Sequence, residues 1–412
     1  MKTDKFILFP LFFVLYEFTV YLANDMIMPG MIKVVHDFSV GNAYVPGSLT
    51  AFLLGGASLQ IVLGPFSDSF GRRKTLLFGV VFFLFSTAFI LFSQSIHQFL
   101  FGRFIQGMGL CFIGTVGYAC IQEMYEERQA IKIISMMAMV ALIAPLAGPL
   151  LGGIFIEYFH WRGVFVVIGA LGTIALIGLH LHMPETAHLS LSKDNILERY
   201  PDLSNLPKFN LFHLSKNYLA IMKNKKFLLG AFASSLSTGP LLAWISISPI
   251  LLMKKAHLSP TGYGISQIPI FGALIVGNLL LQKIIKKSDL KRIIRVGAFF
   301  TLVGLFLAGL VPLLLGESFL NVLIPLSIYA FGIAVTNSTL TRLILYSSPI
   351  AKGSVSAILS LITTSILALN TFSMTFIYKT ESNVHFGIFC FFVGLVFFPL
   401  ISLFLISDKR AS

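Results

Sequence analysis

The stretch Leu8-Phe9-Pro10-Leu11-Phe12-Phe13-Val14-Leu15-Tyr16-Glu17-Phe18-Thr19-Val20-Tyr21-Leu22-Ala23-Asn24-Asp25-Met26-Ile27-Met28-Pro29-Gly30-Met31-Ile32 is apolar almost throughout, yet it holds two carboxylic acids. A run of this length is enough to cross a hydrocarbon layer about 30 Å thick. It is far longer than the core of a signal peptide and lacks a convincing small-residue cleavage site. Comparable runs follow it at 45–67, 75–94, 98–123, 129–156, 163–183, 227–252, 261–283, 293–315, 319–345, 354–377 and 384–407. The sequence therefore predicts an all-α integral membrane protein of twelve spans. Strict polar/apolar alternation is absent, which disfavours a transmembrane β-barrel.

Composition agrees. Of 412 residues, 56% are hydrophobic and only 11% are charged, against about 25% charged in soluble domains. The mean hydropathy is +0.87. A water-soluble enzyme and a disordered chain are both excluded. The 41 Phe suit a surface that faces lipid. The net charge of +13 is not a sign of nucleic acid, because in a membrane protein the position of the basic residues matters more than their sum. Placing both termini in the cytoplasm puts most Lys and Arg inside, including Arg72-Arg73-Lys74, the basic residues of 184–226 and Lys283 through Arg295. It leaves only Lys33, Arg162, Lys254, Lys255 and Lys379 outside. Cytoplasmic termini are the expectation.

The longest polar stretch, 184–226, divides the chain into bundles 1–183 and 227–412. Two pseudo-symmetric six-helix bundles joined by a basic linker are expected. Phe209, Leu211, Phe212 and Leu214, followed by Lys216, are compatible with a surface helix in that linker. The three Cys show no zinc spacing, and Cys111 and Cys120 lie about 13.5 Å apart along one helix, too far for a disulfide. His180 and His182 are two apart, which suits no helical metal site; no metal is expected. Walker, HExxH and GxSxG patterns are absent, so neither an ATP-driven cycle within this chain nor an enzyme is expected.

Acids inside a membrane are costly and face protein or water. Glu17 and Asp25 are eight residues apart, about 12 Å along the helix and about 80° around it, so both can line one cavity at different depths. Arg103 is the one basic residue deep in the N-terminal half. A carboxylate neutralised either by a proton or by a cationic substrate couples the two events. The alternatives are a carboxylate locked in a structural network and a fixed ion pair at Arg103. Glu123 lies near the inner end of the fourth span. Tyr16, Tyr21, Asn24 and Tyr118 are candidate cavity residues, with packing or interfacial anchoring as the alternative. Asn278, Asn337 and Asn370 read as interhelical glue.

Gly64-Pro65-Phe66-Ser67-Asp68-Ser69-Phe70-Gly71-Arg72-Arg73-Lys74 forms the loop after span two. Gly71 permits a tight reversal, Arg72 and Arg73 anchor to the inner face, and Asp68 can cap a helix or pair with Arg72. Ala144-Pro145-Leu146-Ala147-Gly148-Pro149-Leu150-Leu151-Gly152-Gly153 in span five combines Pro bends with small residues four apart that admit a neighbouring helix.

These stretches resemble the major facilitator superfamily, in particular its twelve-span drug/proton antiporters. The loop at 64–74 resembles the superfamily's motif A, departing from it at Ser69, where a basic residue is usual. Arg103-Phe104-Ile105-Gln106-Gly107 resembles motif B, and the span-five run with Pro145, Gly148, Pro149 and Gly152 resembles the antiporter motif C. Leu15 to Phe18, Asn24 to Ile27 and Pro29 to Met31 carry the most specific match, with support from Pro269 to Ile275 and Gly277 to Leu281. The resemblance implies that Glu17, Asp25 and Arg103 handle protons. It implies a drug pocket of Tyr21, Asn24, Asp25, Leu49, Tyr118, Ala141, Pro145 and Leu242. It also implies a cytoplasmic gate of Gly64, Asp68, Gly71, Arg72, Arg73 and Glu123. The expected function is proton-coupled efflux of lipophilic cations and neutral antibiotics from the bacterial inner membrane. The proton gradient is the energy source, with no cofactor and no nucleic-acid partner. A monomer is the default, since two halves enclose the site within one chain. An exporter of one metabolite, such as a siderophore or a sugar, and an uncoupled facilitator are the rival expectations.

Overall fold

A computed structural model describes residues 2–184, 218–285, 288–348, 352–377 and 382–407. Its twelve candidate membrane spans are α1 (Leu8–Asp37), α2 (Asn42–Gly64), α3 (Arg72–Leu91), α4 (Ile96–Met124), α5 (Lys132–Tyr158), α6 (Arg162–His182), α7 (Lys225–Lys255), α8 (Pro260–Ile284), α9 (Leu290–Leu315), α10 (Leu320–Leu345), α11 (Val355–Ile377) and α12 (Asn383–Ser407). Most of the linker, with the surface helix expected at Phe209 to Lys216, lies outside the described residues. The face on which α1 begins and α12 ends is the terminal side, and the opposite face is the far side.

Several spans are interrupted, among them α1 and α4, which carry the charged residues of the first half. The first helix of α1 ends at Asp25, and a 3-10 turn at Met28–Gly30 leads into Met31–Asp37. Pro29 brings no backbone donor, so a bond of the α-helical ladder is missing at this break. Span one therefore reaches five residues beyond its expected end at Ile32. In α4 a π-helical turn at Phe112–Gly117 separates Arg103 from Tyr118, a distortion often found at functional sites.

Packing repeats with a shift of six helices. In the first half α1 packs on α5 and α6, α2 on α4, and α3 on α4 and α6. In the second half α7 packs on α11 and α12, α8 on α10, and α9 on α10 and α12. The halves meet through α2 with α11 and α5 with α8, a pair that the same shift exchanges. These pairings describe two pseudo-symmetric six-helix bundles. Apolar side chains such as Phe85, Phe101, Phe299 and Phe392 stand exposed on the outer surface, where lipid would cover them.

Cross-half approaches toward the far side are close. A Cβ on Gly153 of α5 would collide with the Pro260 carbonyl of α8, and one on Gly264 would come within 2.6 Å of the Pro149 carbonyl. The Glu157 carboxylate accepts from the Thr261 amide at 3.2 Å and from its hydroxyl. Thr50 of α2 donates to Thr371 of α11 at 2.9 Å.

Candidate functional site

Arg103 is fully buried and organises the polar centre of the first half. Its Nη1 donates to the Ala23 carbonyl at 3.0 Å and to Gln106 Oε1 at 2.5 Å. Nη2 donates to Asn24 Oδ1 at 3.3 Å, and Nε to Ser48 Oγ at 3.2 Å. Its guanidinium carbon lies 4.7 Å from the centre of the Phe52 ring, within cation–π range. Gln106 sits one turn along α4 and passes the network on to Thr87 of α3 at 2.8 Å. Such partners are what a buried guanidinium requires.

Asp25 is buried at the end of the first helix of α1. No ion pair joins it to Arg103 among the described residues. The Asn24 side chain stands between them, with Nδ2 donating to Asp25 Oδ1 at 2.9 Å. The fixed ion pair considered for Arg103 is thus replaced by an amide bridge, because Asn24 and the Ala23 carbonyl take the donors that would point at Asp25.

Helix α5 closes the other side of Asp25. A side chain on Gly148 would collide with Asp25 Cβ, and one on Gly152 would collide with the Met26 carbonyl. Pro145 and Pro149 lie within a continuous helix, Glu127–Tyr158. The small residues of the span-five run thus let α5 touch the backbone where α1 changes course.

Glu17 is different in kind. It is fully buried, and neither carboxylate oxygen meets a hydrogen-bond partner among the described residues. The neighbouring Tyr16 hydroxyl is buried without a partner as well. Glu17 lies within electrostatic reach of Tyr21 and Tyr118, and Tyr21 also within reach of Asp25. Glu17, Tyr21, Asn24, Asp25, Arg103 and Tyr118 therefore form one neighbourhood. Leu49 is buried in the core, while Ala141, Pro145 and Leu242 are half-buried.

At the terminal side Arg72 holds Glu123 with two nitrogens, Nε at 3.1 Å from both oxygens and Nη2 at 2.7 Å from Oε1. Its Nη1 donates to Ser67 Oγ at 2.8 Å. Gly71 has φ +98°, a conformation that an L side chain rarely adopts, and it turns the chain from the helix ending at Phe70 into α3. Arg73 points elsewhere, donating to the His180 carbonyl of α6 at 2.7 Å. Gly64 has open space around its α-carbon. The Asp68 side chain lies outside the described residues.

Ser48, Thr87, Gln106 and Tyr263 are the site residues that sequence reading overlooked. Gln106 had a signal, since it is three residues from Arg103 and shares its helix face. Ser48, Thr87 and Tyr263 had none. Tyr263 comes from α8 in the other half, lies within electrostatic reach of Asp25, and bonds Ser248 at 3.0 Å. Asn337 does act as interhelical glue, meeting Ser237 at 3.0 Å and Thr238 at 2.9 Å, whereas Asn278 and Asn370 donate within their own helices.

A model of the Major Facilitator Superfamily matches residues 13–369. Multidrug transporter MdfA of Edwardsiella piscicida is 43% identical over 404 residues, covering 98% of this chain and 95% of its own. Proteins of the same name from Yersinia pestis and Escherichia coli are 43% and 42% identical with the same coverage. Among solved structures, the Escherichia coli xylose transporter XylE in a partially occluded inward-open conformation superposes with a TM-score of 0.73. It has 13% identity and covers 99% of this chain and 98% of its own. A D-xylose-proton symporter gives 0.72 at 15% identity, covering 95% and 97%. Those structures share the fold alone. With the family model spanning most of its length and relatives at this identity, the chain belongs to the Major Facilitator Superfamily, a family of transporters rather than enzymes.

Proposed function

We propose that the chain is a proton-driven multidrug exporter of the bacterial inner membrane. The name shared by its relatives supports multidrug transport. The concentration of Lys and Arg on the terminal side supports cytoplasmic termini. The two halves rock about the contacts between α5 and α8 and between α2 and α11, alternately opening a central site to either side.

One observation carries the coupling. Glu17 is a buried carboxylate with no hydrogen-bond partner among the described residues, and Asp25, a helical distance away, is held by one amide. A carboxylate in that setting is stable when protonated or when a cation lies beside it. A lipophilic cation, or a neutral compound that turns hydrogen-bond donors toward the carboxylate, stabilises its charged form and displaces the proton toward the cytoplasm-facing cavity. Reprotonation from outside then expels the substrate. Arg103 does not titrate in this cycle; it fixes Asn24, and through it the Asp25 carboxylate. Tyr21, Tyr118, Leu49, Ala141, Pro145 and Leu242 line the pocket, and Arg72 with Glu123 stabilises the cytoplasmic mouth. One chain carries the whole cycle as a monomer, surrounded by lipid and without a cofactor.

The test is proton release from purified protein in weakly buffered detergent on addition of tetraphenylphosphonium, then chloramphenicol. Release by both compounds is expected, with loss in Glu17→Gln or Asp25→Asn. Binding of neither compound, with no release, would overturn the multidrug reading in favour of a single metabolite. Binding without release would overturn the coupling.

A further inference from the structure

We infer that the seam between α3 and α6 on the terminal side is a binding site for one membrane lipid with an anionic headgroup. This rests on the membrane orientation proposed above but not on the transport cycle.

The seam holds a groove of about 480 Å³ lined by Leu77, Phe78 and Val81 of α3 and by Ile177, His180 and Leu181 of α6. It lies on the outer surface of the bundle, with Phe78, Val81, Ile177 and Leu181 all more than half exposed. In a membrane an apolar groove there meets acyl chains. Its charge pattern selects among them. Residues four apart share a helix face, so Arg73 stands one turn above Leu77 and Lys74 one turn above Phe78. Arg72 starts α3 and His182 ends α6, so this turn lies at the level of the headgroups. Lys74 is exposed. Arg73 reaches across the seam to the His180 carbonyl, which ties the two walls together at the groove's charged end. From Lys74 to Val81 is about 10 Å along the helix, the depth of the first several methylenes of an acyl chain. An anionic phosphate at Arg73 and Lys74 with one chain laid over Phe78 and Ile177 satisfies both parts. A zwitterionic lipid offers the same chain but sets its own cation beside Lys74.

The test uses the reconstituted full chain. The two native tryptophans, Trp161 and Trp244, are fully buried and their signal is measured in the unsubstituted protein. Phe78→Trp places a reporter in the groove, and Phe392→Trp places one on an exposed face of α12 with no basic residue within a turn. Quenching by brominated phosphatidylglycerol is compared with quenching by brominated phosphatidylcholine. Each basic side chain near the surface favours the anionic lipid by about fivefold. A preference of at least that size is expected at position 78 and absent at position 392. It should fall about fivefold when Lys74→Gln is added to Phe78→Trp. Equal quenching by both lipids at position 78, or a preference unchanged by Lys74→Gln, would overturn the site.

Discussion

Arg103 reaches Asp25 through the side chain of Asn24, which accepts from the guanidinium at 3.3 Å and donates to the carboxylate at 2.9 Å. Asn24→Ala removes both bonds and leaves two buried polar groups short of a partner. A loss of about 1–3 kcal/mol of stability is expected, read as a lower unfolding midpoint in detergent. An unchanged midpoint would mean that Arg103 and Asp25 pair directly once the amide is gone.

Glu17 should behave in the opposite way. A buried carboxylate without a partner costs free energy in the resting fold, so Glu17→Leu is expected to raise stability by about 1–3 kcal/mol while abolishing substrate-linked proton release. Thermal unfolding and proton release on the same preparation check this. A destabilised Glu17→Leu protein would show that the carboxylate has a structural partner in solution.

The contact of α5 with α1 leaves no space at Gly152, whose missing side chain would lie on the Met26 carbonyl. Gly152→Val must push the helices apart. Overpacking of this kind costs about 1–3 kcal/mol, and transport should fall even where the protein is made in normal amounts. Gly272→Ala, at a position in α8 with open space, is the control and should leave transport near its normal level.

Glu157 holds the start of α8 from the opposite half. Glu157→Ala removes a cross-half contact worth about 0.5–1.5 kcal/mol, or about 2–10-fold in the balance between states. Spin labels on the far-side ends of α5 and α8 should show a larger population at long distance. An unchanged distance distribution would assign the far-side closure to the backbone contacts alone.

Arg72 and Glu123 form a two-pronged pair within the first half. Each single replacement by Ala should weaken transport, and the double replacement should cost less than the sum of the two, with a coupling of about 1 kcal/mol. Strict additivity in a double-mutant cycle would show the pair to be incidental.

The twelve spans were legible because a hydrocarbon layer imposes a length and polarity on each segment that no tertiary contact can override. Glu17, Asp25 and Arg103 stood out for the same reason, as ionisable groups where lipid allows few. Their partners were not legible. Ser48 and Thr87 are ordinary small hydroxyl residues, and only the packing of α2 and α3 against α4 gives them an acceptor's role. The amide bridge at Asn24 was hidden too, since sequence places Arg103 near Asp25 without saying whose donors point where. Arg73 was read together with Arg72, but the rotation of about 100° per helical residue sends the two guanidinium groups to different helices.

The guanidinium of Arg103 touches α1 through Ala23 and Asn24, α2 through Ser48, and α3 by way of Gln106 and Thr87. Four helices are thereby riveted into one frame. Among the described residues helix α5 takes no part in that network; it meets α1 through the bare backbone at Gly148 and Gly152 and through the Lys33 ammonium, which donates to the Ile156 carbonyl at 2.6 Å. The first half is thus joined in two ways, by side-chain hydrogen bonds that converge on one guanidinium and by backbone packed against backbone where α5 crosses α1.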